Sequence, residues 1–233
     1  MPAERANVTL FDLDHTLLPI DSDYAWGLFT SRIGWTDPAV FDARNQQFYQ
    51  HYQAGTLDIH AYVRFATEAV RSHGAQAAAQ AHAQFMETVV RPAIRPEAQE
   101  LVRRHQDAGD RVAIITATNE FVTRPIADAF GVSDLIAVEL ARDDAPGGTG
   151  WITGDIKGVA SMREGKVLRF AQWLHSRALE RQDVRLTFYS DSTNDLPLLE
   201  HADTPVATNP DPLLRAIAER KGWRILDLFP RTS

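Results

Sequence analysis

Short apolar runs rich in β-branched and aromatic residues alternate along the chain with longer amphipathic stretches. The apolar runs cover residues 8–11, 112–115, 135–138, 186–189 and 205–208. Each run is too short for a helix, and each is bounded by polar or turn-forming residues, which predicts buried strands. The stretches between most of them carry apolar residues at helical spacing. This alternation predicts an α/β fold: a three-layer, Rossmann-like core in which helices cover a mostly parallel sheet.

A long interval of helical character, residues 19–95, separates the first predicted strand from the second. Glycines at positions 34, 55 and 74 divide this interval, which predicts four helices, with the third running over residues 58–74 and the fourth over residues 75–90. Its aromatic residues are interpreted as the core of a helical bundle, with a ligand cage as the alternative. We therefore expect residues 1–18 and 96–233 to form the core domain and residues 19–95 to form an inserted helical cap.

The composition is that of an ordinary globular protein, with 44% hydrophobic and 24% charged residues in a chain of 233. The net charge of -7 argues against a nucleic-acid-binding surface and against binding to anionic membranes. The absence of cysteine excludes disulfides and cysteine-based metal sites. No run reaches the roughly 18 apolar residues of a membrane helix, and the N-terminal segment has no apolar signal core. We expect a cytoplasmic protein, and the sequence sets no oligomeric state.

Two acids, Asp12 and Asp14, follow the first predicted strand directly. The carboxyl ends of strands face the ligand crevice of an open α/β sheet. Alternate residues of a strand point to opposite faces, so the chain must turn at Leu13 if both acids serve one site. One carboxylate can then attack phosphorus, while a second carboxylic acid protonates the leaving oxygen and later activates water. The competing interpretation is that these acids only end a strand.

The second predicted strand leads into the polar run 116–119, which precedes a predicted helix over residues 121–130. Hydroxyl groups and the free N–H groups of a helix N-terminus can hold a phosphate, because the helix dipole favours an anion. The alternative is that Thr118 or Asn119 only caps this helix.

One of the three lysines, Lys166, stands at the start of a predicted helix, where the helix dipole disfavours a cation. A solvated surface position is the alternative, and Lys157 is the competing lysine for a functional role. The strand over residues 186–189 ends in a run that contains Asp191 and Asp195. Carboxylate oxygens are the ligands that a hard ion such as Mg²⁺ prefers, with helix capping by residues 192–194 as the local alternative.

Taken together and in this order, the four segments resemble the motifs of the haloacid dehalogenase superfamily of phosphohydrolases. Within that superfamily the chain is most similar to the group that includes phosphoserine phosphatase, whose helical cap resembles the interval 19–95. The resemblance implies a phosphomonoesterase, and it makes Asp12 the nucleophile that forms an aspartyl-phosphate and Asp14 the general acid and base.

The resemblance also implies a cofactor and ligands for it. The Asp12 and Asp191 carboxylates and the Asp14 carbonyl would hold Mg²⁺, supported by Asn194 and Asp195.

Phosphate binding is implied for three further residues. Thr116 and the Ala117 amide would bind phosphate oxygens, and Lys166 would neutralise the charge of the nucleophile and the phosphate. Thr16 would hold the turn after the first strand.

The same resemblance indicates a small phosphorylated metabolite as the substrate. Phosphoserine phosphatases bind the substrate ammonium with an acid whose position is taken here by Asp21, although Asp21 as a plain helix cap is the alternative. Their cap arginine, which binds the substrate carboxylate, is replaced here by Ala66, with Arg64 two residues earlier. An amino phosphate without a carboxylate, such as histidinol phosphate, is therefore expected. Phosphoserine, a phosphotransferase and a non-catalytic phosphometabolite-binding protein are the alternatives.

Overall fold

A parallel sheet forms the centre of the structure, a computed structural model that describes residues 5–229. The strands are β1 (Ala6–Phe11), β2 (Arg111–Asn119), β3 (Asp134–Val138), β4 (Leu140–Arg142), β5 (Ile152–Ile156), β6 (Val184–Ser190), β7 (Thr204–Thr208) and β8 (Arg224–Leu226). Six of them form one sheet in the order β3-β2-β1-β6-β7-β8, and every pair in it is parallel. The strands β4 and β5 form a separate antiparallel hairpin. The outer limits of the expected core, residues 1–4 and 230–233, lie outside the described residues.

The order of the strands reverses direction at β1. The chain moves outward through β2 to β3 on one side of β1, and then builds β6, β7 and β8 on the other side. The carboxyl ends of β1 and β6 are neighbours at this change of direction, which is where open α/β sheets bind their ligands.

Helices account for the rest of the regular structure. They are α1 (Ser22–Arg32), α2 (Pro38–Ala54), α3 (Ile59–Ala66), α4 (Glu68–Phe85), α5 (Arg91–Ala93), α6 (Pro96–Asp107), α7 (Glu120–Ala129), α8 (Glu164–His175), α9 (Leu196–His201) and α10 (Pro212–Lys221). A π-helical turn joins α4 to α5, and the five helices from α1 to α5 lie between β1 and α6. Within residues 5–229, no helix combines the length and the apolar composition that a membrane span requires.

Both faces of the sheet are buried, which explains why the strand sequences are apolar throughout rather than alternating. On one face, Val8 and Leu10 of β1 pack in a cluster with α8, α9 and α10. On the other face, Phe11 packs in a cluster with α6 and α7, and this cluster continues into the inserted helices through Trp26 and Phe85. The three-layer α/β architecture with a Rossmann-like parallel sheet is therefore confirmed.

The expected single helix over residues 58–74 is wrong. The helix α3 ends at Ala66, and α4 begins directly after Thr67, whose hydroxyl donates to the Val63 carbonyl at 2.7 Å. A threonine hydroxyl that bonds back to the preceding turn competes with the helix ladder and bends the chain. The expected boundary at Gly74 is confirmed, because this glycine has a non-helical φ of 75° and interrupts α4 at a kink.

Candidate active site

A tight turn after β1 carries the two acids that the sequence singles out. The N–H groups of Leu17 and Leu18 both donate to the Leu13 carbonyl at 2.9 Å. Within this turn His15 adopts a positive φ of 57°. The chain therefore leaves the strand direction between Asp12 and Asp14, as two acids that serve one site require.

The candidate cation of the site, Lys166, lies buried between two carboxylates. Its Nζ donates to Asp12 Oδ1 at 2.6 Å and to Asp195 Oδ2 at 2.7 Å, and only 2% of the residue is exposed. Asp195 also accepts a hydrogen bond from Ser190 Oγ at 2.7 Å. Burial acts to lower the pKa of Lys166, but the charges of Asp12 and Asp195 outweigh it and hold that pKa above its usual value. The competing lysine, Lys157, lies on the surface with a 72% exposed side chain.

The Asp12 and Asp191 carboxylates approach each other across the ends of β1 and β6. The Thr16 hydroxyl lies 3.3 Å from Asp12 Oδ2 and 3.2 Å from Asp191 Oδ1, so it joins the two acids as well as standing in the turn. Burial raises the pKa of Asp12 to about 6. Burial also raises the pKa of Asp191 well above its usual value, and the nearby charges of Asp12 and Asp195 add to this rise.

The donor set around Asp12 and Asp191 fits a hard divalent cation. Lys166 pairs with Asp12, but no lysine or arginine among residues 5–229 forms a salt bridge with Asp191. The ammonium of Lys166 is therefore the only side-chain cation that these two carboxylates have beside them in this part of the chain. In the same part of the chain, no three His, Cys, Asp or Glu side chains converge on one point. An ion here would therefore need main-chain oxygen, such as the Asp14 carbonyl, and water, which is the mixture that Mg²⁺ commonly accepts.

The carboxyl group of Asp14 has a different environment from that of Asp12. Its Oδ1 accepts from the Ser22 N–H at 2.8 Å, and its Oδ2 accepts from the Thr118 hydroxyl at 2.9 Å. Burial, followed by the nearby charge of Asp21, raises the pKa of Asp14 to about 8. Asp14 is therefore mainly protonated at neutral pH, whereas Asp12 is mainly ionised. Two carboxyl groups whose pKa values are separated in this way can act as acid and nucleophile.

The polar run 116–119, which forms the end of β2, lies beside Asp14. Thr116 is 1% exposed, and its Oγ1 accepts from the N–H of Thr118 at 3.1 Å. The pairing register of β2 with β3 shifts between residues 115 and 119, so the backbone is irregular where Thr116 and Ala117 lie. Asn119 caps α7, accepting from the Val122 N–H at 3.2 Å, as the capping alternative predicts.

Asp21 lies at the rim of the site. Its Oδ1 accepts from the Tyr24 N–H at 2.9 Å and caps α1, and the residue is exposed. The observed contact of Asp21 is therefore the one that the helix-cap interpretation predicts. Asp21 nevertheless lies close enough to Asp14 to raise the pKa of that group.

Comparison with known proteins identifies the family. The sequence profile of the haloacid dehalogenase-like hydrolases matches residues 9–200. The chain belongs to this family. The matched region contains Asp12, Asp14, Lys166, Asp191 and Asp195, and the resemblance drawn from the sequence is confirmed.

Similar proteins and structures agree with the family. This hydrolase is 40% identical over 222 residues to histidinol-phosphatase of Neisseria meningitidis serogroup C, covering 95% of this chain and 98% of the relative. A protein of unknown function from Bordetella pertussis Tohama I has a similar structure, with a TM-score of 0.90 and 45% identity over 97% of this chain and 100% of that one. A substrate-bound phosphoserine phosphatase shares the fold at a TM-score of 0.63, with 16% identity over 96% of this chain and 93% of that one.

A buried acid of this hydrolase, Asp23, was not assigned to the site from sequence. Only 8% of it is exposed, and its Oδ1 accepts from Asn119 Nδ2 at 3.4 Å. It also accepts a hydrogen bond from the Tyr62 hydroxyl, while burial and then the charge of Asp21 raise its pKa to about 7. An acid in the first turn of a helix is already explained by its favourable interaction with the helix dipole, so the sequence gives no reason to assign Asp23 to a site. Its burial in the folded chain is the feature that distinguishes it from an ordinary acid at the start of a helix.

A second residue that sequence reasoning missed joins the inserted helices to the site. The Arg163 Nε donates to Asn194 Oδ1 at 3.0 Å, and its Nη1 donates to the Gly55 carbonyl at 3.1 Å. Arg163 precedes α8 with a φ of 52°, which is rare for a residue with a side chain. The Tyr52 hydroxyl of α2 reaches the same loop, where it hydrogen-bonds with Ser192 and Asn194.

The raised pKa values predict that the metal-free hydrolase loses stability as the pH rises. Asp12, Asp14 and Asp23 have pKa values of about 6, 8 and 7 in the folded chain, against 3.8 for a free aspartate. Between these limits the folded state keeps protons that the unfolded state has released, so the unfolding free energy falls with rising pH. Two histidines, His82 and His201, have lowered pKa values and work in the opposite sense, but the three carboxyl groups outnumber them.

We expect the unfolding free energy in EDTA to fall by at least roughly 3 kcal/mol between about pH 5 and pH 8. Urea denaturation at several pH values measures this change. Asp23→Asn is the matched variant and should reduce the slope. A stability that stays level or rises across this interval would contradict the prediction.

Proposed function

We propose that this chain is a Mg²⁺-dependent phosphomonoesterase acting on a small, amine-bearing metabolite, and that histidinol phosphate is its substrate. The observation that carries the reaction type is the contrast between two neighbouring acids. Asp12 is ionised against the ammonium of Lys166, and Asp14 is protonated at neutral pH. The identity of 40% to a histidinol-phosphatase over nearly the whole chain supports the substrate.

The first half of the reaction uses both acids. An oxygen of Asp12 attacks phosphorus, and the bond between phosphorus and the ester oxygen breaks. The proton of Asp14 passes to that ester oxygen, so the alcohol leaves uncharged and an aspartyl-phosphate remains on Asp12. Lys166, fixed by Asp195, reduces the repulsion between the anionic nucleophile and the anionic phosphate.

The second half reverses the role of Asp14. Its carboxylate takes a proton from water, the water oxygen attacks phosphorus, and the acyl-phosphate bond breaks to release phosphate and Asp12. A Mg²⁺ ion held by the Asp12 and Asp191 carboxylates and the Asp14 carbonyl would supply further charge neutralisation at the phosphate. Thr116 and the Ala117 amide are the proposed phosphate ligands. Asn194 and Asp195 are proposed to support the residues that would hold Mg²⁺.

Residues 19–95 are the proposed cap, and residues 1–18 and 96–233 are the proposed core. The hydrogen bonds of Arg163 to the Gly55 carbonyl and of Tyr52 to Ser192 and Asn194 support this arrangement, because they hold α2 against the catalytic loop. A cap in this position would exclude water and large substrates during the reaction.

The preference for an amino phosphate without a carboxylate rests on the charges of the cap. Arg64, the arginine nearest in sequence to the position expected to bind a carboxylate, donates instead to Asp155 Oδ1 at 2.9 Å. Ala66 carries no charge. Asp21, whose charge raises the pKa of Asp14, and the buried Asp23 supply negative charge in this segment, which suits a substrate cation.

The test is phosphate release by the purified protein with Mg²⁺, comparing initial rates on histidinol phosphate and phosphoserine, with EDTA controls. A clear preference for histidinol phosphate supports the proposal. A preference for phosphoserine would overturn the substrate but not the phosphatase reaction. An alcohol acceptor added to the assay distinguishes a phosphotransferase, because part of the phosphate then appears as a new ester. No release from these substrates or from an aryl phosphate would overturn the proposed function.

A further inference from the structure

A cavity of about 270 Å³ lies within the inserted helices. Its described lining belongs to the segment from Asp23 to Ser72 and includes four aromatic side chains. The aromatic members are Trp35, Phe41, Tyr62 and Phe65. Because one water takes roughly 30 Å³ in the liquid, the cavity has room for a small ring or a short aliphatic group.

Asp23 contacts both this cavity and the core. It lines the cavity, and its carboxylate accepts from Asn119, the last residue of β2 in the core. The residue before Asn119 is Thr118, whose hydroxyl donates to the general acid Asp14 at 2.9 Å. Two consecutive residues at the end of β2 therefore connect Asp23 to Asp14, the proposed general acid.

The charge of Asp23 has no partner among residues 5–229. Its hydrogen-bond donors, Asn119 and Tyr62, are neutral, and its nearest charged influence is another acid, Asp21. The arginine of the cavity, Arg44, is held by Glu68 at 2.7 Å. A buried carboxylate is costly unless it is paired, so this position favours a ligand that brings a cation.

We propose that Asp23 is a specificity-determining residue that binds a positively charged nitrogen in the alcohol part of the substrate, with the cavity holding the group that carries it. This inference rests on the proposed phosphatase function and deepens it. The substrate class is a phosphate monoester with an ammonium or imidazolium a few bonds from the ester oxygen. The phosphate binds between Asp12 and Lys166, the ester oxygen meets Asp14, and the cation reaches Asp23.

The test compares Asp23→Asn with the wild type on histidinol phosphate and on p-nitrophenyl phosphate, which has no cation. Asp23→Asn removes a charge-assisted hydrogen bond to the substrate cation. We therefore expect kcat/KM on histidinol phosphate, relative to kcat/KM on p-nitrophenyl phosphate, to fall by about 30-fold, mainly through a higher KM for histidinol phosphate. Inhibition by L-histidinol should weaken by a similar factor, while inhibition by inorganic phosphate should change by less than about 3-fold.

The matched control is Asp58→Asn, the same substitution at an exposed helix cap in the same segment. Asp58 accepts from the His60 N–H at 3.0 Å, and asparagine caps a helix as well as aspartate does. This variant should keep the wild-type ratio. Tyr62→Phe removes the hydroxyl that bonds Asp23 and should lower the ratio by a smaller factor, which provides a second test if Asp23→Asn folds poorly.

The outcomes separate this inference from the proposed function. An unchanged ratio, or equal losses on both substrates in Asp23→Asn and Tyr62→Phe, would overturn the role of Asp23 while leaving the phosphatase intact. A wild-type protein that releases phosphate from neither substrate would overturn the proposed function. In that case binding of L-histidinol, measured by calorimetry on wild type and Asp23→Asn, still tests Asp23, and equal affinities would reject it.

Discussion

Asp12→Asn is expected to lower kcat for phosphate release by at least about 10⁴-fold, the scale seen when a catalytic nucleophile is removed. The amide has nearly the same shape as the carboxylate, but its oxygen is a poor nucleophile and cannot form the aspartyl-phosphate. The fold should persist, because Lys166 keeps its 2.7 Å hydrogen bond to Asp195. Initial rates with Mg²⁺ and a circular dichroism spectrum measure the two effects.

Asp195→Asn is the matched control for this prediction. It removes one carboxylate from Lys166, as Asp12→Asn does, but leaves the nucleophile in place. We expect a smaller loss, on the order of 10–100-fold, because only the support of Lys166 is weakened. If Asp12→Asn kept activity comparable to that of Asp195→Asn, Asp12 would not be the nucleophile.

Asp14→Asn is expected to slow turnover of an alkyl phosphate by about 10²–10⁴-fold, the usual contribution of a general acid or base. The alkoxide of histidinol cannot leave without a proton, whereas p-nitrophenolate can. With p-nitrophenyl phosphate, the variant should therefore form the aspartyl-phosphate readily but hydrolyse it slowly. Stopped-flow absorbance should show a burst of p-nitrophenolate that is followed by slow turnover.

Asp21→Asn provides the control for Asp14, because it removes the charge that raises the pKa of Asp14 but keeps the acid itself. This variant should show no burst, and the limb of its pH-rate profile that reports Asp14 should move to lower pH. Equal losses on the alkyl and aryl substrates in Asp14→Asn, without a burst, would contradict a general-acid role.

Several elements could be predicted from sequence because local physics decided them. The helix predicted over residues 121–130 is present as α7, which begins directly after the capping residue Asn119. The break expected at Gly74 is present as a kink with non-helical backbone angles, and the break at Thr67 was missed. Periodicity does not detect a boundary between two helices that follow each other directly.

The sequence by itself determined the α/β class, the family and the candidate acids at the ends of two strands. Apolar runs buried on both faces and polar residues at their carboxyl ends follow from the chain alone. The tertiary structure alone decided that Lys166 contacts Asp12, although 154 positions separate the two residues in the sequence. It also decided that the pKa of Asp14 exceeds that of Asp12 and that Asp23 is buried. These properties depend on desolvation and on charges brought together from distant parts of the chain, which no local pattern records.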